Sequence, residues 1–257
     1  MIPFARPLIA LSLTEPDEGV LRYAAMLARL FKWREVQFLH VAPPDRQRKF
    51  EPGPYEERLQ AEASRLFDDP ALACEMKFHV AEGSRLDRIL EVAAREERDL
   101  ILLGHRRMRS GRRSLARRTA MVAPASVWLV PEGSPPTVSS ILVPTDFSEH
   151  SSDALQVAIN VARVDSAGVE VEPIYHESTR PSQAILRVAE RCGSDLVVMN
   201  TRGRSQAAFV LLGSNTSEAL AATTVPLLAV KHYGGRMGLV EAILNQQLWK
   251  RGDVKTN

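Results

Sequence analysis

The chain has 257 residues, of which 45% are hydrophobic and 25% charged, and a formal net charge of +2. That is ordinary globular composition, long enough for one large core or two small ones, and too weakly charged to argue for nucleic acid or an acidic substrate. Two cysteines, Cys74 and Cys192, make neither a disulfide framework nor a CxxC pair.

The N-terminus has a short apolar stretch without a basic n-region or a small-residue cleavage site, and no apolar run approaches the ~18 residues of a membrane span. With free cysteines, the expected setting is a reducing cytoplasm without membrane contact.

Leu8–Leu13 is a short apolar run that reads as a strand. Val20, Ala24, Leu27 and Phe31 then recur at helical spacing within Asp17–Phe31, and Val36–Val41 reads as the next strand. A Pro-rich loop from Pro43 leads to a helix near Tyr55–Phe67, with Leu59, Ala63, Leu66 and Phe67 on one face. In Cys74–Val80 the apolar Cys74, Met76, Phe78 and Val80 alternate with Glu75, Lys77 and His79, as in an edge strand with one wet face. The helix at Ile89–Arg95, the buried strand Asp99–Leu103 and an apolar strand at Val127–Val130 complete this part. Pro131–Ser140 carries prolines, serines and a glycine, and reads as a linker.

The order then repeats. Ile141–Val143 is a strand, Ser151–Val164 a helix and Val169–Tyr175 a strand. Ser182 is the expected N-cap of a helix through Ile185–Arg191, followed by the strand Asp195–Met199. A helix at Asn215–Ala222 and a strand at Pro226–Val230 follow. Ala24, Ala28 and Arg29 fall on Ala158, Ala162 and Arg163, and the Ile-Leu helices match as well. The first half is longer by about 40 residues, between its second strand and its Ile-Leu helix. Strands apolar on both faces, alternating with helices, predict parallel sheets covered on both sides. The fold class is therefore α/β, with two tandem open parallel sheets over residues 1–132 and 139–233, the second shortened to about four strands. Met237–Trp249, in a tail over residues 234–257, has an amphipathic stripe. It predicts a helix packed on the protein itself or docked on another chain.

In open parallel sheets a ligand binds beyond the carboxyl ends of the strands, where the strand order reverses. In the second half this places Pro144, Thr145 and Asp146 after the first strand, with Asn200, Arg202, Gly203 and Arg204 after the strand Asp195–Met199. Gly213, Ser214, Asn215 and Thr216 stand where the next helix opens. Glycines allow backbone amides to approach a phosphate, a helix N-terminus supplies unpaired amides, and arginines add charge. A Gly-punctuated loop with an N-cap serine and solvated arginines is the competing reading of the same spacing.

The second half resembles the universal stress protein family over nearly its whole length. Ile-Leu-Val-Pro144-Thr-Asp146-Phe-Ser148 resembles the family's first strand and acidic turn. Asn200-x2-Gly203-x9-Gly213-Ser214 resembles its ATP-binding signature, with asparagine in place of the first glycine. Asparagine tolerates a left-handed backbone, which would preserve the turn. The resemblance implies an adenine-nucleotide-binding regulatory protein with ATP as ligand and Mg2+ only alongside the nucleotide. Asp146 and the backbone near His176 would hold base and ribose, and Gly203, Gly213 and Ser214 the phosphates. It also implies association through the last strands, so Val127–Val130 and Pro226–Val230 are expected to pair the halves, with homodimerisation of whole chains open. The first half resembles the same family, but Ser12 stands at the aspartate position and Arg107 at the second glycine, so ATP binding is not expected there.

The loop 105–118 is dense in arginine. It reads either as an anion or acidic-partner site, or as a solvated basic loop paired with Glu96, Glu97 and Asp99; without aromatic interleaving it does not read as a nucleic-acid motif. The histidines, His176 included, lie at no metal-ligand spacing, and no GxSxG or P-loop lysine is present. Two rival readings remain: a nucleotide-free interaction scaffold, and a weak ATPase.

Overall fold

The computed structural model describes residues 4–42, 52–67, 72, 74–106, 114–147, 149–165, 169–201 and 214–231. The first half contains β1 (Pro7–Leu11), α1 (Asp17–Phe31), β2 (Glu35–Ala42), α2 (Pro52–Phe67) and β3 (Glu75–Glu82), then α3 (Arg85–Arg95), β4 (Leu100–His105), α4 (Leu115–Val122) and β5 (Ser126–Pro131). The second contains β6 (Ile141–Leu142), α5 (Glu149–Asp165), α6 (Pro181–Arg191), β7 (Leu196–Asn200), α7 (Ser214–Ala222) and β8 (Leu227–Val230). The amphipathic tail expected at Met237–Trp249 lies outside the described residues.

The two sheets join into one of eight strands in the order β3-β2-β1-β4-β5-β8-β7-β6. Neighbours within each half are parallel, and β5 and β8 meet antiparallel through Val127–Ala229, Trp128–Leu228 and Leu129–Leu227. The strands expected to pair the halves therefore do pair. Because β5 and β8 are equivalent strands, the contact is isologous, as in a twofold dimer whose two copies share one chain.

Strand side chains alternate between two cores. Ile9, Phe38, Leu102, Trp128 and Val198 pack with α1, α2 and α5 on one face. Leu8, Leu39, Leu103, Leu129 and Val197 pack with α3, α4, α6 and α7 on the other. Trp128 is fully buried on the first face, its ring in contact with Phe4, Tyr23 and Phe31 at centroid distances of 6.4, 5.9 and 6.4 Å. Strand burial on both faces follows from covering a parallel sheet twice, and accounts for the apolar runs in the sequence.

Loop detail repeats as well. Asp99 accepts the backbone N–H groups of Ala5 and Arg6, and Asp195 accepts those of Ser139 and Ser140 at the matching place. Left-handed backbone recurs at Leu13 (φ 56) and Phe147 (φ 58), and at Glu97 (φ 50) and Gly193 (φ 61).

Two expectations need correction. Val169–Tyr175 is not a strand, so among the described residues the second half supplies three strands to the sheet rather than about four, and β6 ends the described sheet. Valines alternating with glutamates give this segment strand propensity, but among the described residues the second half has no counterpart of β3 or α2 to hold it in place. Ser182 is not the N-cap of α6: Pro181 begins that helix after Arg180, and Ser182 Oγ donates to Glu218 of α7 instead. Proline is pre-shaped for the first helical position, where its missing N–H costs nothing. Residues 107–113 of the arginine-rich loop lie outside the described residues, and the three acids set against it have partners elsewhere. Glu96 pairs with Arg95 and Arg98, Glu97 with Arg6, and Asp99 with backbone.

Candidate functional site

The carboxyl ends of β6 and β7 open onto one edge of the second half, and α7 starts at that edge. After β6 the chain passes through half-buried Pro144 and exposed Thr145 and Asp146. Thr145 Oγ1 lies 2.9 Å from Ser151 Oγ and accepts the N–H of Phe147 at 3.0 Å, which closes the turn on its own hydroxyl. On the β7 side, Asn200 is buried at the strand end, and Thr216 Oγ1 in the first turn of α7 donates to Asn200 O at 3.2 Å. That bond fixes the helix N-terminus against the end of β7. A helix N-terminus so placed presents unpaired amides and a positive dipole end to an anion.

Pro144, Thr145, Asp146, Asn200 and Thr216 thus lie where the sequence places them, at the carboxyl edge of neighbouring strands. Ser214 and Asn215 open α7, whereas Arg202, Gly203, Arg204 and Gly213 lie outside the described residues. His176 is elsewhere. It lines a cleft of about 550 Å³ with Glu177, Ser178, Thr179 and three residues of the middle and end of α6, Arg187, Val188 and Arg191; Asp146 is not part of that cleft. The displacement follows from the missing strand, since without it nothing carries His176 to the carboxyl edge.

Asn200 also differs from expectation. It ends β7 in extended backbone and is not among the described positive-φ residues, so its tolerance of left-handed backbone is not used. Its place is taken in the first half by Gly104, where an added Cβ would lie 3.1 Å from Val20 Cγ2. The residue equivalent to Val20 in the second half is Ala154, also buried. Alternation puts position 200 on the sheet face that α5 covers, where a smaller helix residue leaves more room for a larger strand residue.

The corresponding edge of the first half is filled by its own groups. Asp17 is buried, and its Oδ2 accepts the N–H groups of Ser12 at 2.7 Å and Thr14 at 3.2 Å. Burial raises the Asp17 pKa, opposed by the backbone N–H bonds. Arg58 of α2 donates to Leu13 O at 3.2 Å, and Tyr55 stacks on His40, ring centroids 5.2 Å apart. His40 Nδ1 is 3.1 Å from Leu11 O, and burial lowers the histidine's pKa. Amides that a phosphate would need are already bonded, and they are bonded to a carboxylate. In the second half the residue equivalent to Asp17 is Ser151, a neutral hydroxyl. Sequence inspection for ligand residues missed Asp17, Ser151, Val20 and Ala154, although the helix correspondence aligned all four.

No group of three His, Cys, Asp or Glu among the described residues could hold a metal ion, and no described helix is long and apolar enough to cross a membrane.

Two parallel half-sheets, covered by helices on both faces and joined antiparallel through their last strands, define a tandem α/β protein. The universal stress protein family model matches residues 4–131 and 163–231, and the chain belongs to that family. Among solved structures, a universal stress protein from Archaeoglobus fulgidus DSM 4304 is similar with a TM-score of 0.72 and 18% identity, covering 88% of this chain and 96% of that one. A functionally unknown protein from Pseudomonas aeruginosa PAO1 is similar with a TM-score of 0.68 and 14% identity, covering 96% of this chain and 98% of that one. At these identities the likeness shows the fold. Among curated proteins, none matches the sequence.

Proposed function

We propose that the chain is a regulatory protein that binds an adenine nucleotide, ATP in the first instance, at the carboxyl edge of β6 and β7, and that the first half serves as its covalently attached partner. The observation that carries this is the exchange of Asp17 for Ser151. One crevice has a buried carboxylate bonded to the amides of its first turn, and the other has a neutral hydroxyl in that place. A polyanion is repelled from the first and admitted by the second. The anchored N-terminus of α7 faces the same edge, and the sequence beyond β7 supplies Arg202, Gly203, Arg204 and Gly213. In this reading Asp146 accepts hydrogen bonds from base or ribose, Ser214, Asn215 and Thr216 present helix amides and hydroxyls to phosphate, and Mg2+ accompanies the nucleotide. In this reading the nucleotide is the ligand of a switch, and slow ATP hydrolysis is the alternative.

The test is mass spectrometry of small molecules released from freshly purified protein, with calorimetric titration of ATP and the Asp146→Ala variant as control. Release of an adenine nucleotide by the native protein, lost in the variant, supports the site. Absence of both release and binding at millimolar ATP would leave the scaffold reading. ATP turnover abolished by Gly213→Trp would favour the weak ATPase.

A further inference from the structure

The first helices of the two halves differ in what covers them. In α1, Leu21, Ala25 and Ala28 recur at i, i+4 and i+7. All three are buried in one core with Leu59, Ala63 and Phe67 of α2, which packs on α1. The equivalent flank of α5 is Leu155, Ile159 and Ala162. Leu155 is 43% exposed where Leu21 is 1% exposed, and Ile159 and Ala162 are half-buried. Among the described residues, the large apolar side chains that are exposed all fall between Phe147 and Tyr175. A cluster of that kind marks a docking surface. We propose that residues 237–249 of this same chain dock there as an amphipathic helix, on the Leu155–Ile159–Ala162 flank of α5, in the place that α2 takes on α1.

The sequence of the tail carries the face that this flank needs. Met237, Val240, Ile243, Leu244 and Leu248 fall on one stripe, as Leu59, Ala63, Leu66 and Phe67 do in α2. A helix over Met237–Trp249 is about 20 Å long, and the flank from Leu155 to Ala162 spans about 10 Å. Side chains three and four apart on the tail then meet a ridge with the same spacing on α5.

The point of attachment fits as well. β6, β7 and β8 are parallel, so the chain leaves β8 at the carboxyl edge, where α5 begins. β6 lies two strand spacings from β8, about 10 Å. Residues 232–236 reach about 17 Å when extended, enough to carry Met237 past the end of β6 to the outer side of α5. Joined to its site by so short a connector, the stripe acts at high local concentration and needs little intrinsic affinity.

Charge points the same way. Between Val164 and Thr179 the sequence has no lysine or arginine, and Glu170, Glu172 and Glu177 are exposed. The tail has Arg236 before its stripe and Lys250, Arg251 and Lys255 after it, against Glu241 and Asp253. A tail helix that starts at the carboxyl edge and runs along α5 brings Lys250 and Arg251 to the end of α5, beyond which Glu170 and Glu172 follow. Opposite charges arranged in this way fix the direction of docking.

Carbodiimide coupling of carboxylates to lysine amines in the full chain, read by mass spectrometry, tests the docking together with hydrogen exchange of α5. No nucleotide is added, so the outcome is separate from that of the nucleotide reading. In the native protein Glu170 or Glu172 is expected to couple to Lys250. Leu244→Asp, in the middle of the stripe, should lower that coupling about tenfold and speed exchange of the 155–162 amides about tenfold. Gln246→Asp adds the same charge on the opposite face of the tail helix and should change neither. Leu155→Asp, at a position already exposed, should lower the coupling from the other side of the contact. Coupling and exchange that are the same in Leu244→Asp as in the native protein would overturn the docking, as would a native protein without the coupling. Products that join an isotope-labelled chain to an unlabelled one would assign the flank to a second copy, and would overturn it too.

Discussion

Gly104 at the end of β4 and Val20 of α1 touch so closely that a Cβ on the glycine would stand 3.1 Å from the valine Cγ2. In the second half both positions change together, to Asn200 and Ala154, and these two are buried. If the pair is one unit of packing between helix and sheet, the departure of Asn200 from the family signature is compensated by Ala154 in α5, and the two positions are linked.

The pair should therefore be energetically coupled. Gly104→Asn alone is expected to lose about 2–3 kcal/mol by overpacking, and Val20→Ala alone about 1–2 kcal/mol by leaving a void. Together they should lose less than the sum by about 1 kcal/mol or more, since each removes the other's misfit. Urea unfolding of the three variants measures this, and strict additivity would show that the two sites do not share space.

Trp128 and Leu228 occupy equivalent positions and face one another at the centre of the β5–β8 pair. Trp128 also closes the aromatic cluster with Phe4, Tyr23 and Phe31. Trp128→Ala should cost about 3–5 kcal/mol. Because the residue sits on the seam, it should also separate unfolding into two transitions by urea when read by probes in each half. A single transition shifted by less than 1 kcal/mol would mean that the seam relaxes around the loss.

The duplication was legible in the sequence because matched helices such as Asp17–Phe31 and Ser151–Val164 keep apolar residues at one spacing, whereas pairing of the last strands was legible only through the family resemblance. Strand Cys74–Val80 was legible because alternation is the direct imprint of one wet face. Val169–Tyr175 misled for the same reason: alternation reports strand propensity, whereas membership of a sheet depends on neighbours distant in sequence. The acidic occupant of the first crevice was hidden differently. Asp17 reads as an ordinary first-turn acid, and only the folded turn shows its Oδ2 beneath the Ser12 and Thr14 amides. His176 was placed by analogy with a strand end, and without that strand it has no reason to lie there.

Placing the first-half acid in the second-half crevice should close it. Ser151→Asp introduces a carboxylate beneath the turn that holds Asp146, at a position already bonded to Thr145. ATP affinity is expected to fall about tenfold or more, since a like charge near a polyanion costs at least about 1.4 kcal/mol at protein dielectric. Stability should stay within about 1 kcal/mol, because Asp17 shows that this backbone accepts the acid. Calorimetry with ATP reads the first quantity and urea unfolding the second. Unchanged affinity would place the phosphates away from this turn.

Asp17 itself makes a prediction about pH. Burial raises its folded pKa above the ordinary 3.8 despite the backbone N–H bonds it accepts. The folded chain therefore binds this proton more tightly than the unfolded chain does. The associated stabilisation is complete below the unfolded pKa and disappears as pH rises through the folded one. Asp17→Asn keeps an acceptor oxygen and cannot ionise, so it reports the difference directly. The stability of the native protein relative to Asp17→Asn should fall as pH is raised from about 3.8 and level off above the folded pKa. Glu62, whose pKa is raised by burial and by the Asp17 charge, loses the second contribution in the variant and so adds to the same trend, whereas groups away from Asp17 affect both proteins alike and largely cancel in the difference. Urea midpoints for the two proteins between pH 3 and pH 7 measure the trend. A gap that instead moves in favour of the native protein as pH rises would mean that the amides of Ser12 and Thr14 outweigh desolvation. The first crevice would then be a site that stabilises negative charge, and its carboxylate would be the stand-in for an anion rather than the reason one is excluded.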